Sequence, residues 1–174
     1  LSIKGATDFK DDMQELISNQ LTAVGYHEIM NNSLTAASNY TGLESLPEDH
    51  CVHLMNPLSS DLNVMRQTLL FGGLESIVRN VNHKNANLKF YEFGNVYEFN
   101  PAVDNTEVAL APYTEHNVLG MWLTGKNHEQ SWVEKERAMS VYDLKADMEN
   151  ALRRIGVDVC DLKQEQLTNE IFEA

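Results

Sequence analysis

Cysteine is scarce: Cys51 and Cys160 are the two in 174 residues. That is too few for a disulfide framework, and a reducing, cytoplasmic setting is the simplest reading. Long apolar runs are missing, since none approaches the roughly 18 residues of a membrane span. Basic residues are few. Lys and Arg total 13 against 26 Asp and Glu, for a net charge of −13. Phosphate backbones attract clustered cations, so this is the wrong overall sign for an autonomous nucleic-acid binder, though a local basic patch inside a larger assembly is compatible with it. The start, Leu1-Ser2-Ile3-Lys4, lacks the basic, apolar and cleavage regions of a signal peptide. It begins with Leu rather than Met, which predicts a piece cut from a longer protein. There is no internal repeat and no low-complexity segment.

What is present is ordinary for a water-soluble globular chain: 43% hydrophobic and 22% charged residues. The length suits a single domain, 1–174, with a sizeable core. Residues 7–24 form the clearest helix. Phe9, Met13, Leu16, Ile17, Leu21 and Val24 share one face, Thr7 is placed to cap the start, and Gly25 to stop the end. A strand over 26–34 follows, then a loop or short helix over 35–50, then a short strand over 51–55. Residues 58–82 open with Ser59, Ser60 and Asp61 and turn into a second helix. Its buried face is expected from Leu69, Leu70, Leu74, Ile77, Val78 and Val81, with Gly72 and Gly73 marking close packing or a bend.

Residues 88–99 alternate around Gly94 and predict an aromatic strand pair or a kinked strand. Residues 100–115 read as a loop, 117–123 as a fully buried strand, 125–131 as a turn, and 132–139 as a short charged stretch. A third helix is expected over 141–155, with Leu144, Met148, Ala151, Leu152 and Ile155 on its core face. A further strand is expected over 157–162. Strands in neighbouring short pairs between helices favour an α+β fold with a mainly antiparallel sheet flanked by helices.

Few residues advertise chemistry. Gly120 to Lys126 fits most of a phosphate-binding loop, but Asn127 stands where Ser or Thr would hold magnesium, and the interior reads as strand. His50, Cys51 and His53 are close in sequence, yet on a strand 51 and 53 share a face while 50 points away, so structural roles are expected. Glu92 and Glu98 flank Gly94. A catalytic carboxylate pair is one reading; one acid at an exposed edge and one in a salt bridge is the plainer one. Trp122 and Trp132 are most simply core and edge packing.

Three ordered blocks carry a more specific signal. Asn56-Pro57-Leu58-Ser59, followed by Met65-Arg66-Gln67-Thr68-Leu69-Leu70, resembles the NP-x-S and MR-x-(S/T)-LL stretch of the bacterial phenylalanyl-tRNA synthetase β subunit. The strand Leu88-Lys89-Phe90-Tyr91-Glu92-Phe93-Gly94-Asn95-Val96-Tyr97 is similar to that family's LF-x-E-x-G-x-V-(F/Y). Gly120, Trp132 and Val141-Tyr142-Asp143-Leu144-Lys145-Ala146 resemble its G…W…(F/Y)DLKG segment, with Ala146 in the usual Gly place.

The resemblance implies the core fold of a class II aminoacyl-tRNA synthetase, kept for architecture. The related catalytic α subunit reads like G-R-V-Y-R where this chain has Gly94-Asn95-Val96-Tyr97-Glu98. An acid therefore stands where an arginine would hold the ATP α-phosphate. The α subunit's FHQ-x-EG strand is matched only by the glycine of Asn117-Val118-Leu119-Gly120-Met121-Trp122. No catalytic, cofactor-binding or metal-binding residues are assigned.

The whole ligase would use ATP and magnesium to join phenylalanine to its tRNA, in an α2β2 heterotetramer. The domain would then be a catalytically inactive interface module. Phe9, Met13, Leu16, Ile17 and Leu21 are the candidates for contact with the α subunit, or for the core beneath it. Lys145, Arg153 and Arg154 are candidates for a minor tRNA contact, or a solvated helix face. The alternative is a class II-like regulatory or amino-acid-binding module without ligase activity, which needs a polar-lined pocket.

Overall fold

The computed structural model describes residues 9–103, 108–128, 130–163 and 169–172. Among them, no helix is long and apolar enough to cross a membrane. The order is helix α1 (Phe9–Ala23), short strands β1 (His27–Glu28), β2 (Leu34–Thr35), β3 (Val52–His53) and β4 (Val64–Met65), helix α2 (Leu70–Asn82), long strands β5 (Leu88–Phe99) and β6 (Tyr113–Thr124), the hairpin strands β7 (Lys126–His128) and β8 (Arg137–Ala138), and helix α3 (Val141–Arg154). The α+β expectation holds, but the sheets are mixed. β1 runs parallel to β5 in the order β1-β5-β6, while β2-β4-β3 and β7-β8 are antiparallel.

The chain forms two compact units. The first is Leu1–Ile29, Ile77–Tyr91 and Met121–Lys163. Here α1 packs on α3 and on β1. Ile17 and Leu21, one turn apart, are buried with Tyr26, Leu88, Phe90, Tyr91, Trp122 and Ala151. Full burial of such side chains contributes roughly 1.5–3 kcal/mol each. Asp11 and Asp12 in the first turn of α1 complement the helix dipole. The helix ends as the sequence predicts: Gly25 adopts φ 91°, a left-handed value costly for other residues. The N–H of Tyr26 then returns to the carbonyl of Leu21 at 3.0 Å. The expected cap Thr7 lies outside the described residues.

The second unit is Met30–Ser76, Glu92–Gly120 and Gln164–Ala174. Its core gathers Ala37, Tyr40, Cys51 and Val64, with Leu46 and Phe71 against it. Tyr40 and Phe71 meet edge to face at 5.4 Å.

Several expectations need correction. The second helix starts at Leu70, not near Ser60, because 64–65 pair as a strand between β2 and β3 and Thr68 accepts the Leu70 N–H at 3.2 Å. Of its expected buried residues, Leu69 is buried, but Leu74, Val78 and Val81 are 44%, 58% and 45% exposed. β6 is an edge strand, so only Trp122 is buried on it. Trp132 is 98% exposed, so the edge packing expected of it is not seen. Residues 159–161 form a 3-10 turn rather than a strand. Residues 88–99 form one continuous strand, β5, through Gly94 rather than a strand pair.

Candidate functional site

The densest polar arrangement lies in the second unit, around the residue that follows β4. Arg66 is 6% exposed and Glu92, midway along β5, is 1% exposed. The Arg66 Nη1 donates to Glu92 Oε1 at 2.7 Å. The backbone holds Arg66 in place at both ends, with its N–H on the Ser33 carbonyl and its carbonyl accepting the Tyr97 N–H, each at 2.9 Å. Its Nε donates to the Asn95 carbonyl at 2.9 Å. Asn31 completes the set. Its backbone N–H donates to Glu92 Oε1 at 3.2 Å and its Nδ2 to Oε2 at 2.7 Å, while its Oδ1 accepts the Ser76 hydroxyl at 2.8 Å. A buried charge pair is tolerable only when its remaining donors and acceptors are satisfied, and here every buried side-chain polar atom among the described residues has a partner.

Glycine makes room for this network. A Cβ on Gly94 would run into Arg66 Nη2 and come within 2.9 Å of Leu69 Cδ2. A Cβ on Gly72 would stand 2.9 Å from the Asn31 Cβ, which is the close packing expected of the paired glycines. Above the network opens a cavity of about 460 Å³, lined among others by Asn31, Asn32, Asn39, Thr35, Thr68, Arg66 and Glu75.

A second cavity of about 340 Å³ is lined in part by His50, Gln67, Tyr97, Glu98 and His116. His50 Nδ1 and Glu98 Oε1 are 3.1 Å apart at its wall. The sequence left two readings of the acids beside Gly94, and the structure follows the plainer one, with Glu92 buried in a salt bridge and Glu98 half-exposed. Cys51 sits in the core, where its Sγ accepts from Gln67 Nε2 at 3.0 Å and burial pushes the thiol pKa up. The backbone N–H of the same Gln67 donates to the Tyr40 hydroxyl oxygen at 2.9 Å, and burial raises that phenol's pKa. His50 faces Glu98, Cys51 is buried and His53 is exposed, so the three do not converge.

The other expected site residues lie on helices. On α1, Ile17 and Leu21 belong to the core, Met13 is half-buried, and Phe9 and Leu16 are 80% and 39% exposed. On α3, Lys145 and Arg153 both face Glu149, at 3.9 and 3.4 Å, and Arg154 is exposed. The start of α3 is held by Asp143, which accepts from the Ser140 N–H and hydroxyl and from two nitrogens of Arg137; the guanidinium is the largest cause holding its carboxyl far below the usual range. Gly120 to Thr124 is the end of β6, as expected of a strand rather than a phosphate loop. A salt bridge at one of the two acids was expected, but nothing local in the sequence names Arg66 and Asn31 as the partners of Glu92, because they lie 26 and 61 positions from it.

The residues do not fit ATP at the place the resemblance implies. Glu98 offers a carboxylate where a phosphate needs a cation, and His50 partners it. The one buried arginine nearby faces a carboxylate and three backbone carbonyls.

Residues 2–172 match the family model described as the phenylalanyl tRNA synthetase beta chain CLM domain. The β subunit of phenylalanine–tRNA ligase from Bacteroides fragilis is 51% identical over 172 residues, 99% of this chain and 21% of that one. Its counterpart from Porphyromonas gingivalis is 43% identical over 166 residues, 95% of this chain and 20% of that one. The chain thus spans about a fifth of the length of the curated relatives it matches.

Among solved structures, an ATP phosphoribosyltransferase regulatory subunit/histidyl-tRNA synthetase from Bacillus halodurans aligns with TM-score 0.60 at 15% identity, covering 91% of this chain and 38% of that one. A pyrrolysyl tRNA synthetase from Desulfitobacterium hafniense aligns with TM-score 0.53 at 12% identity, covering 86% and 46%. At these identities the likeness is one of fold: the class II synthetase core.

Proposed function

We propose a role from the fact that this chain belongs to the family of phenylalanyl tRNA synthetase beta chain CLM domains: it is a catalytically inactive structural and interface module of a phenylalanine–tRNA ligase. The assembly around it uses ATP and magnesium to charge tRNA(Phe), with the chemistry on the α subunit. The observation that supports this reading is how the charges near Gly94 are spent. The resemblance puts Glu98 at the arginine position, where it pairs with His50, and Arg66 pairs with buried Glu92. Transition-state phosphate needs preorganised positive charge, and neither arrangement offers it. What remains is a rigid scaffold.

The contact with the α subunit is assigned to the exposed part of the α1 face. Phe9 and Leu16 are open to solvent, whereas Ile17 and Leu21 are held inside. The test is capture of the α subunit by the full-length β chain carrying Phe9→Asp and Leu16→Asp. Loss of capture with an unchanged melting curve supports the interface. Retained capture by the double variant would refute it. Ile17→Asp is a poor probe, because it would bury a charge and unfold the chain.

A second reading, a small-molecule-binding module, draws on one observation: the amide-lined cavity of about 460 Å³ supplies the polar pocket such a role requires. Calorimetric titration of the full-length β chain with phenylalanine and other amino acids tests it. Heat that is abolished by Asn31→Leu supports this reading, and no heat with any amino acid removes it.

A further inference from the structure

From Ser76 to Tyr91 the chain carries no Asp or Glu, although Glu75 and Glu92 bracket the stretch and acids outnumber bases two to one overall. Arg79, Lys84 and Lys89 fall inside it, with His83 and asparagines at 80, 82, 85 and 87. All but Ser76 lies in the first unit.

The local fold fixes this stretch. Helix α2 is closed by Lys84 itself, which adopts φ 66°. Its N–H returns to the Val81 carbonyl at 2.8 Å, and that of Asn85 to Asn80 at 3.0 Å. The loop is then tied down from the other side. The Ala86 carbonyl accepts the Thr124 hydroxyl at 2.6 Å, and Asn87 Oδ1 accepts the Lys126 N–H at 2.9 Å. An exposed loop of this length is usually mobile, whereas this one is held at both ends.

A concavity of about 530 Å³ results, lined among others by His27, Asn80, Lys84, Asn85 and Asn87. Several cations of this unit are matched: Lys126 by Glu136, Arg137 by Asp143, Lys145 and Arg153 by Glu149, and, inside the stretch, Lys89 by Asp147. Arg79 and Lys84 are exposed and have no ion pair among the described residues. Glu75 stands one turn back on α2, and Glu28 lies beside His27 on β1. Neither forms an ion pair with them.

We propose that this loop, through Arg79, Lys84 and the surrounding asparagine amides, is a sequence-independent contact for the phosphodiester backbone of RNA. The inference rests on the reading under Proposed function, which supplies tRNA as the RNA at hand. The chemistry fits that partner. Two cations match phosphate charge, and amide N–H groups donate to phosphate and sugar oxygens, the contacts that position a protein on nucleic acid without reading its sequence. On a chain of net charge −13, attraction must come from such a local, acid-free patch. Two of the three candidates on α3 are weaker, since Lys145 and Arg153 already share Glu149.

The test uses the full-length β chain assembled with its α subunit and a transcript of tRNA(Phe). Affinity is measured across a series of potassium chloride concentrations for the parent and for the Arg79→Gln/Lys84→Gln variant. The expected result is several-fold weaker binding and a log–log salt slope shallower by about 2, near one for each lost phosphate contact. A lower melting temperature with an unchanged slope would mean that the cations only stabilise the end of α2, and overturns the proposal. So does an unchanged slope with weakened capture of the α subunit, which would assign the loop to an acidic protein surface. If the parent assembly binds no tRNA, the reading under Proposed function fails, and this inference with it. If parent and variant bind with one slope, only this inference fails.

Discussion

Replacing Arg66 with Met would remove one half of a pair whose other half has no route to water. Glu92 is 1% exposed, and without the guanidinium its carboxylate keeps only the two donors of Asn31. The Asn95 carbonyl loses its donor as well. Breaking a buried pair from one side costs about 3–5 kcal/mol, a large part of the roughly 5–15 kcal/mol that holds a domain folded. The melting temperature should fall by about 6–20 °C. Glu92→Leu leaves the guanidinium buried without its carboxylate, and should cost about 3–5 kcal/mol.

The double variant Arg66→Met/Glu92→Leu removes both charges. Its remaining cost is the unpaired Asn31 donors, about 1–3 kcal/mol. Urea unfolding of the four proteins measures this directly, with the slope checked for two-state behaviour. The double variant should lose at least about 2 kcal/mol less than the sum of the single losses. Strict additivity, or a loss below about 1 kcal/mol in Arg66→Met, would refute the claim that the pair is desolvated and coupled.

Gly94→Ala should destabilise the chain by about 1–3 kcal/mol, because the new methyl meets the Arg66 guanidinium and Leu69. The same substitution in the Arg66→Met background should cost less, and an equal cost in both would place the clash elsewhere. Glu170 accepts from the Ser45 N–H and hydroxyl, both at 2.7 Å, and these bonds pull its pKa down to about 2. A depressed folded value means stability that is present above the ordinary carboxylate range and lost as pH falls toward 2. Carboxyl chemical shifts followed by NMR should show a midpoint near 2 that rises in Ser45→Ala, and an ordinary midpoint in the parent would remove the contact.

Local order in the sequence carried much of this protein. The helical spacing of Ile17 and Leu21, the stop at Gly25, the extended run over 88–99 and the third helix were legible because each depends on neighbours within a few positions. So were the three blocks that marked the family. Tertiary structure decided the rest. An apolar stripe states which face of a helix prefers cover, not whether anything arrives to cover it; Leu74, Val78 and Val81 stayed in solvent, and Phe9 parted company with Ile17 on the same helix. The pairing of 64–65 with two other short strands cut the second helix short, a competition that no local window contains. The Arg66–Glu92–Asn31 network belongs to the same class. Its residues are ordinary one by one, and only the fold brings them within hydrogen-bonding distance and excludes water, which turns an arginine and a glutamate into a neutral, rigid strut.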